Sequence, residues 1–376
     1  MFTLALKNLI HDPTRLAIAV VGVTFSVILM AAQAGLFLGF MENSSLIIDN
    51  VDTDIWVTSK NSKNFDFSQP ISERKVNQVE RVQGVASTAK LILAWGVTMN
   101  PDGGSEQVEV VGYDPDTGIG GPWSMREGLA SDVKGGLYAI MDESSEKHLG
   151  RLTVGEYREI LGQRIKIVGI STGVKSFTTA PVVFTSYSTA QQIAQGFLGG
   201  PERTVFILVR VVPGLNPKDV VEEIGRSVDH VDVYTKADYS WKTMRYWMFE
   251  TGMGIGFLVT MVMAFLVGIV IVGQTIYSST MDHLKEFGTL KAIGAENHHI
   301  YQIIFHQAFV NAFLGFLVGM AVTYFTKDFY DKIGAALVLP PWAIGALLAA
   351  TFTMCFFAAF VSVWKAMRVE PAAVFR

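Results

Sequence analysis

Four stretches of this chain run without a full charge for longer than a buried helix of a soluble protein usually does. Leu16–Phe40 and Gly252–Ile276 each extend over 25 residues, Trp342–Trp364 is equally free of charge, and Ile303–Thr326 holds only His306. About 20 apolar residues, rising about 1.5 Å each, cover the roughly 30 Å of hydrocarbon in a bilayer. All four runs reach that length, so the reading is four membrane spans. Half of the 376 residues are hydrophobic and mean hydropathy is +0.35, which agrees. A net charge of −4 excludes the basic excess of a nucleic-acid binder. The single cysteine, Cys355, excludes an intrachain disulfide and a cysteine metal cluster.

The first run has some features of a signal peptide. Lys7 and Arg15 precede it, and Ala32–Ala34 offers a small-x-small site. It continues to Phe40, longer than a signal h-region, which favours an uncleaved anchor. An even number of spans puts both termini on one side. Lys7, Arg15, Lys285, Lys291, Lys365, Arg368 and Arg376 lie on that side, against Lys327 and Lys332 on the other. The positive-inside rule then makes the termini cytoplasmic and the large insert after the first span extracytoplasmic.

The insert reads as α/β. Asp54–Ser59, Val108–Tyr113, Arg164–Ile170, Pro181–Ser186, Thr204–Val211 and Val231–Thr235 are short and rich in β-branched residues. Helical patterns fall at Ser72–Val82, Ser188–Phe197 and Pro217–Val228, the last with Asn216 as its cap. Two interfacial pieces flank the spans. Leu6, Leu9 and Ile10 share a face of an N-terminal amphipathic helix. Trp241, Tyr246 and Trp247 form an aromatic cluster before the second span, on a helical stalk expected to join the insert rigidly to that span.

Catalytic constellations are missing from the sequence. There is no G-x-x-x-x-G-K-[ST] loop for a nucleotide phosphate and no H-E-x-x-H zinc motif. His298 and His299 are adjacent, so they are expected to point to different sides of a helix as solvated side chains. Polar residues inside the spans are few, Ser26, Gln33, Gln274 and Asn311 among them, and none is Asp, Glu, Lys or Arg. Ion-coupled transporters generally need such charges, so energy for transport must come from elsewhere. Glu42 and Glu250, with Met41, Met244, Met248 and Met253 near them, mark the outer ends of the first two spans. They are a candidate substrate entrance, against ordinary snorkelling at the membrane surface.

Between the second and third spans lies "EFGTLKAIGAENHHIYQ". Leu284, Phe287, Leu290, Ala292 and Ile293 give an apolar face, and Gly294 is a helix stop. A short amphipathic helix with an exposed apolar ridge calls for a partner groove. The pattern E-x-G-x-L-K-A-I-G-A over Glu286–Ala295 resembles the signature of FtsX-like permeases of ABC transporters. Val154–Ile170 resembles a strand region of the MacB-like periplasmic core domain, and Arg368–Arg376 resembles the family's P-x-x-x-L-R tail. Ala19–Leu36 suggests similarity to stand-alone DevC-type or HrtB-like permeases.

The resemblance implies a type VII permease: an α-helical membrane protein with four transmembrane helices and a large α/β extracytoplasmic domain of MacB periplasmic-core type. The expected plan starts with a cytoplasmic amphipathic helix over 1–15, a first span over 16–40, the outer domain over 41–238 and a stalk helix over 239–251. It continues with spans over 252–276, 303–326 and 342–364. A coupling helix and loop over 277–302 and a short outer loop over 327–341 connect them, and a cytoplasmic tail covers 365–376.

In that family the coupling helix docks on an ATPase subunit, which here implies Glu286, Leu290, Lys291, Gly294 and Ala295. This chain would hold no cofactor. ATP and Mg would bind the partner ATPase, and a second permease copy would complete the unit in the bacterial plasma (inner) membrane. The implied task is export or extraction of a lipid, glycolipid, lipoprotein or heme by mechanical transmission. Two other readings remain: an FtsX-like subunit that regulates an extracytoplasmic partner, or a sensor without an ATPase. Whether a membrane-fusion adaptor and an outer-membrane channel take part stays open.

Overall fold

The computed structural model of the chain describes residues 13–99, 103–174, 181–282, 289, 296–332 and 335–366. They fall into two compact units, Phe40–Gly252 and the combination of Met1–Gly39 with Met253–Arg376. Helix α1 (Pro13–Asn50) opens the described chain and runs past Phe40, where the apolar run ends, into the first turns of the outer unit.

The described residues of the outer unit form twelve strands. They are β1 (Ile55–Ser59), β2 (Ile71–Ser72), β3 (Val85–Met99), β4 (Ser105–Tyr113), β5 (Met125–Glu127) and β6 (Tyr138–Asp142), then β7 (Tyr157–Ile160), β8 (Gln163–Ser171), β9 (Val182–Ser186), β10 (Arg203–Thr204), β11 (Phe206–Val211) and β12 (Val231–Thr235). The long strand β3 organises them. Its first part pairs antiparallel with β11, within the order β12-β1-β11-β3. Its second part, Ile92–Met99, pairs antiparallel with β4. From there the ladder runs through β9, β6 and β8, and β7 pairs with both β8 and β3. Six strands thereby close into a ring with no open edge along its circuit.

Strand alternation sorts the side chains of the four-stranded part. Ile55 and Val57 of β1 with Ile207 and Val209 of β11 face Val79 of α2 (Arg74–Glu80). Helix α3 (Tyr187–Ile193) is capped by Ser186, whose hydroxyl accepts from the Thr189 amide at 3.2 Å. Val220 and Ile224 of α4 (Pro217–Ser227) complete the apolar layer over β1 and β11, and Asn216 caps α4 as its sequence predicts. The opposite face carries Trp56 and Phe206, which pack into the larger core.

The six strands read from the sequence are present, whereas β3, β6 and β7 and the short β2, β5 and β10 are additional. β3 escapes because Leu91–Ala94 is buried on both faces and does not alternate, and its Ala-Lys-Leu-Ile-Leu-Ala run has helix-forming composition. The helix expected over Ser188–Phe197 ends at Ile193, and a separate turn covers Gln195–Leu198.

The outer unit ends with α5 (Lys236–Arg245), and after it come α6 (Met253–Asp282), α7 (Asn297–Lys332) and α8 (Pro341–Ala366). Among the described residues four helices, α1, α6, α7 and α8, are long and apolar enough to cross a membrane. Contacts fix their directions. Arg15 pairs with Asp282 at 2.5 Å and Phe37 packs on Phe257 at 5.8 Å, so α1 and α6 are antiparallel. Phe305 meets Phe356 and Phe309 meets Phe352, so α7 and α8 are antiparallel too. Val23 and Val27 of α1 meet Gly315 and Gly319 of α7 in the same order, so these two run parallel and Pro13 and Ala366 lie at the same end of the bundle. The outer loop expected over 327–341 is shorter, because α7 continues to Lys332 before α8 starts at Pro341.

Close backbone approach holds the bundle together. Gly315 and Gly319 of α7, a G-x-x-x-G pair, press against Val23 and Val27 of α1. The Thr24 hydroxyl donates to the Gly315 carbonyl at 3.3 Å, and that of Ser362 donates to the Gly273 carbonyl at 2.7 Å. Helix α6 keeps one side open: Ile255, Leu258, Val259, Val262, Leu266 and Val270 are exposed, a surface for hydrocarbon rather than water.

A Cβ on Gly319 would lie 2.7 Å from Val27 Cβ and 3.2 Å from the Thr24 carbonyl oxygen. Gly319→Leu should therefore destabilise the bundle by about 1–3 kcal/mol. Gly256→Leu, at a position with no atom within 4 Å, should leave stability unchanged. Thermal unfolding of the two variants in mild detergent checks the contrast.

Candidate functional site: the stalk on the outer unit

Glu286, Leu290, Lys291, Gly294 and Ala295, expected to contact an ATPase, lie outside the described residues. So do the N-terminal amphipathic helix up to residue 12 and the tail from residue 367. Glu42 on α1 and Glu250 after α5 are both exposed. Met41, named with them at the candidate entrance, is buried, and Met244 and Met248 are half-buried. His298 and His299 depart from expectation. Their rings lie 3.8 Å apart, and Glu296 takes the His298 Nδ1 position at 3.1 Å. Adjacent residues at the first turn of α7 thus fold their rings together instead of diverging. Among the described residues no group of His, Cys, Asp and Glu is arranged to hold a metal.

The most developed constellation lies around the stalk. α5 starts at Lys236, three residues before the Tyr239 expected from sequence. Thr235 caps it by accepting from the Asp238 amide at 3.2 Å, and the Thr235 hydroxyl donates to the Asp238 carboxylate at 2.6 Å. Asp238 in the first turn and Lys242 and Arg245 in the last complement the helix dipole. At Tyr246–Glu250 the winding widens into a π turn. Gly252 then adopts φ +76, a conformation that costs glycine little, and α6 begins at Met253. The stalk expected over 239–251 is thus α-helical to Arg245 and then a π turn, with Gly252 ahead of the second span. Such π turns inside helices recur at functional positions.

Aromatic packing fastens α5 to the sheet. Tyr239 is fully buried, with its ring 5.6 Å from Trp56 and stacked 5.5 Å from Tyr234. Phe65 stacks on Phe206 at 5.1 Å, and Trp56 meets both edge-on. Polar bonds line the loop that runs beside the helix. Thr243 Oγ1 accepts from the Phe65 amide at 3.2 Å, and Lys242 Nζ donates to the Ser62 carbonyl and to the Tyr234 hydroxyl. Tyr239 OH and Ser68 Oγ are 3.1 Å apart. Burial pushes the Tyr239 hydroxyl well above the ordinary phenol range and holds Lys242 below the usual ammonium value.

At the end of this loop lies Asp66, only 7% exposed. Its Oδ2 accepts from Trp247 Nε1 at 3.0 Å and from Asn64 Nδ2 at 2.8 Å, while Trp95 Nε1 donates to its backbone carbonyl at 3.2 Å. Desolvation pushes the carboxyl up to about 7, against the lowering effect of the Trp247 bond. Sequence reasoning passed over Asp66. Its signal was the run Phe65-Asp66-Phe67, an acid flanked by aromatics, which reads as an ordinary loop until Trp247 is seen across from it.

Tyr239→Ala removes the buried ring on which three aromatic contacts converge, and should cost about 3–5 kcal/mol. Hydrogen exchange over residues 236–250 should rise. Trp241→Ala, on the same helix but half exposed, should stay within about 0.5 kcal/mol of wild type. Equal protection of the segment in both variants would contradict the role given to Tyr239.

Two families match the chain in overlapping order with these units. The MacB-like periplasmic core domain matches residues 16–227, and the FtsX-like permease C-terminal domain matches residues 258–371. An uncharacterized ABC transporter permease of Mycobacterium tuberculosis is 24% identical over 382 residues, covering 100% of this chain and 99% of the relative. One from Mycobacterium bovis is 24% identical over 385 residues, with the same coverage. The periplasmic region of MacB from Actinobacillus actinomycetemcomitans aligns with a TM-score of 0.38 at 13% identity, over 52% of this chain and 96% of that one. With the MacB-like match extending over more than half of its length and the FtsX-like match over its last three helices, the chain belongs to the FtsX/MacB-like (type VII) permeases of ABC transporters.

Proposed function

We propose that this chain is the membrane subunit through which a separate ATP-binding subunit drives export or extraction of an amphiphilic substrate, a lipid, glycolipid, lipoprotein or heme. The observation that carries the reading is the FtsX-like match together with the Glu286–Ala295 segment, which connects two spanning helices within that match. The relatives are named as permeases, the membrane component of such transporters. The sequence has no phosphate-binding loop of its own, so ATP and Mg belong to the partner.

Glu286 and Lys291 make charged contacts with that ATPase in this reading, Leu290 fills a pocket, and Gly294 with Ala295 permits the turn into α7. Dimerisation of two ATPases pushes on two such segments, so the working unit holds a second permease copy. Its setting is the bacterial plasma (inner) membrane with both termini in the cytoplasm, as the distribution of Lys and Arg favours. The charge-poor spans fit a lateral, lipid-facing route better than an aqueous channel. Glu42 and Glu250 are candidates for the entrance of that route.

The test is purification of the intact complex from its native membrane, followed by ATPase assay in liposomes. An ABC ATPase should copurify in about equal amount. Leu290→Asp and Gly294→Pro should each lower coupled turnover at least tenfold, a loss of about 1.4 kcal/mol or more at the contact, without altering the outer unit. Fully coupled turnover in both variants would overturn the assignment of the segment. ATPase activity indifferent to any amphiphile, with a stable extracytoplasmic protein partner, would favour regulation over transport.

A further inference from the structure

Asp66 is a buried carboxyl group without a cation. The groups that face it can be named element by element. The π turn after α5 presents Trp247 Nε1, and the loop itself presents Asn64 Nδ2. β3 presents Trp95 Nε1, which is bonded to the Asp66 backbone and not to the carboxylate. α5 presents the Tyr239 hydroxyl, bonded to Ser68, and Lys242, whose ammonium is taken by Ser62 O and Tyr234 OH. α1 adds the Phe40 ring, edge-on to Trp247 at 6.2 Å, and the loop adds Phe67, 5.9 Å from the same indole. Among the described residues no Lys or Arg forms an ion pair with Asp66.

Two side-chain donors and the Asp66 amide, all neutral, compensate an ionised carboxylate poorly once water is excluded. A proton on the carboxyl removes the charge and still leaves an oxygen to accept from both side-chain donors. The indole that makes one of those bonds sits in the π turn, five residues before Gly252, at the place where the chain leaves the outer unit. We propose that Asp66 and Trp247 form a proton-operated latch: it holds the π turn against the 62–68 loop while Asp66 is protonated, and it loosens when Asp66 ionises and draws in water. The direction follows from proton binding. The folded chain keeps the Asp66 proton to about pH 7, whereas the unfolded chain releases it near 3.8. The stabilisation by the acid form is therefore complete below about 3.8 and is lost as pH rises through about 7. The group belongs to the extracytoplasmic domain and so answers to the pH outside the cell. The latch does not depend on what is transported or on which ATPase binds.

The experiment uses the full-length protein in lipid nanodiscs. Tryptophan emission of the wild type, less that of Trp247→Phe, is titrated from about pH 5 to about pH 9, two units either side of the expected midpoint. The expected result is a red shift of the Trp247 signal with a midpoint near pH 7, absent in Asp66→Asn. A signal flat over that range, or the same transition retained in Asp66→Asn, overturns the latch. If Asp66→Asn does not fold, infrared difference spectra of the wild type carry the test. A carboxylic-acid C=O band should disappear with the same midpoint, and Trp247→Phe, which removes the bond that holds the closed, protonated state, should move that midpoint downward. Absence of a titrating band, or a midpoint unmoved by Trp247→Phe, overturns the proposal equally.

Discussion

A bilayer interior offers no hydrogen-bond partner, and that constraint shapes the helical half of this protein. Every backbone amide in the spans must be satisfied within its own helix. Lipid tails also remove the usual driving force for helix association, so contact has to come from close packing. That is why glycines mark the closest helix approaches: Gly315 and Gly319 against Val23 and Val27, and Gly268 against Ser26 and Met354. The hydroxyls of Thr24 and Ser362 add bonds to exposed carbonyls at those same close approaches. Large residues such as Leu258, Val262 and Leu266 are left for the outside of α6.

Outside the membrane the opposite logic holds. Water drives apolar burial there, and β3 makes one core out of two sheets by contributing to both. Its central residues are buried on each side, so the four-stranded part and the six-stranded ring cannot separate without exposing them. The stalk helix is fastened to the four-stranded part through Tyr239 and Lys242, by rings and by bonds to loop carbonyls. Compactness of the outer unit thus extends to the turns that precede the second span.

The membrane half was legible because hydrophobic length is a strong signal: Leu16–Phe40 and Trp342–Trp364 carry it without exception. Helix ends were less so, since α1 and α7 continue beyond their apolar runs into polar sequence that remains helical. In the outer unit, strands with one solvated face or β-branched composition announced themselves. β3 did not, because burial on both faces erases alternation. The coupling segment was recognised from its motif, whereas Asp66 was passed over. A buried carboxyl is defined by partners from distant sequence, here Trp247 and Trp95, and no local pattern encodes their convergence. The adjacent His298 and His299 likewise obeyed side-chain torsion freedom rather than the helical wheel.

The first and last strands of the outer unit, β1 and β12, are neighbours. Ile55 and Thr235 are register partners, and the Lys236 amide donates to the Asp54 carbonyl at 2.9 Å. This bond closes the long excursion between α1 and α5 at its base. The entropy of a flexible loop grows with the logarithm of its length, at about 0.6 kcal/mol per doubling. With its ends clasped, the whole domain costs the tether between the first two spans no more than a short connection would. An insertion in a surface loop beyond that clasp then leaves the length of the tether unchanged.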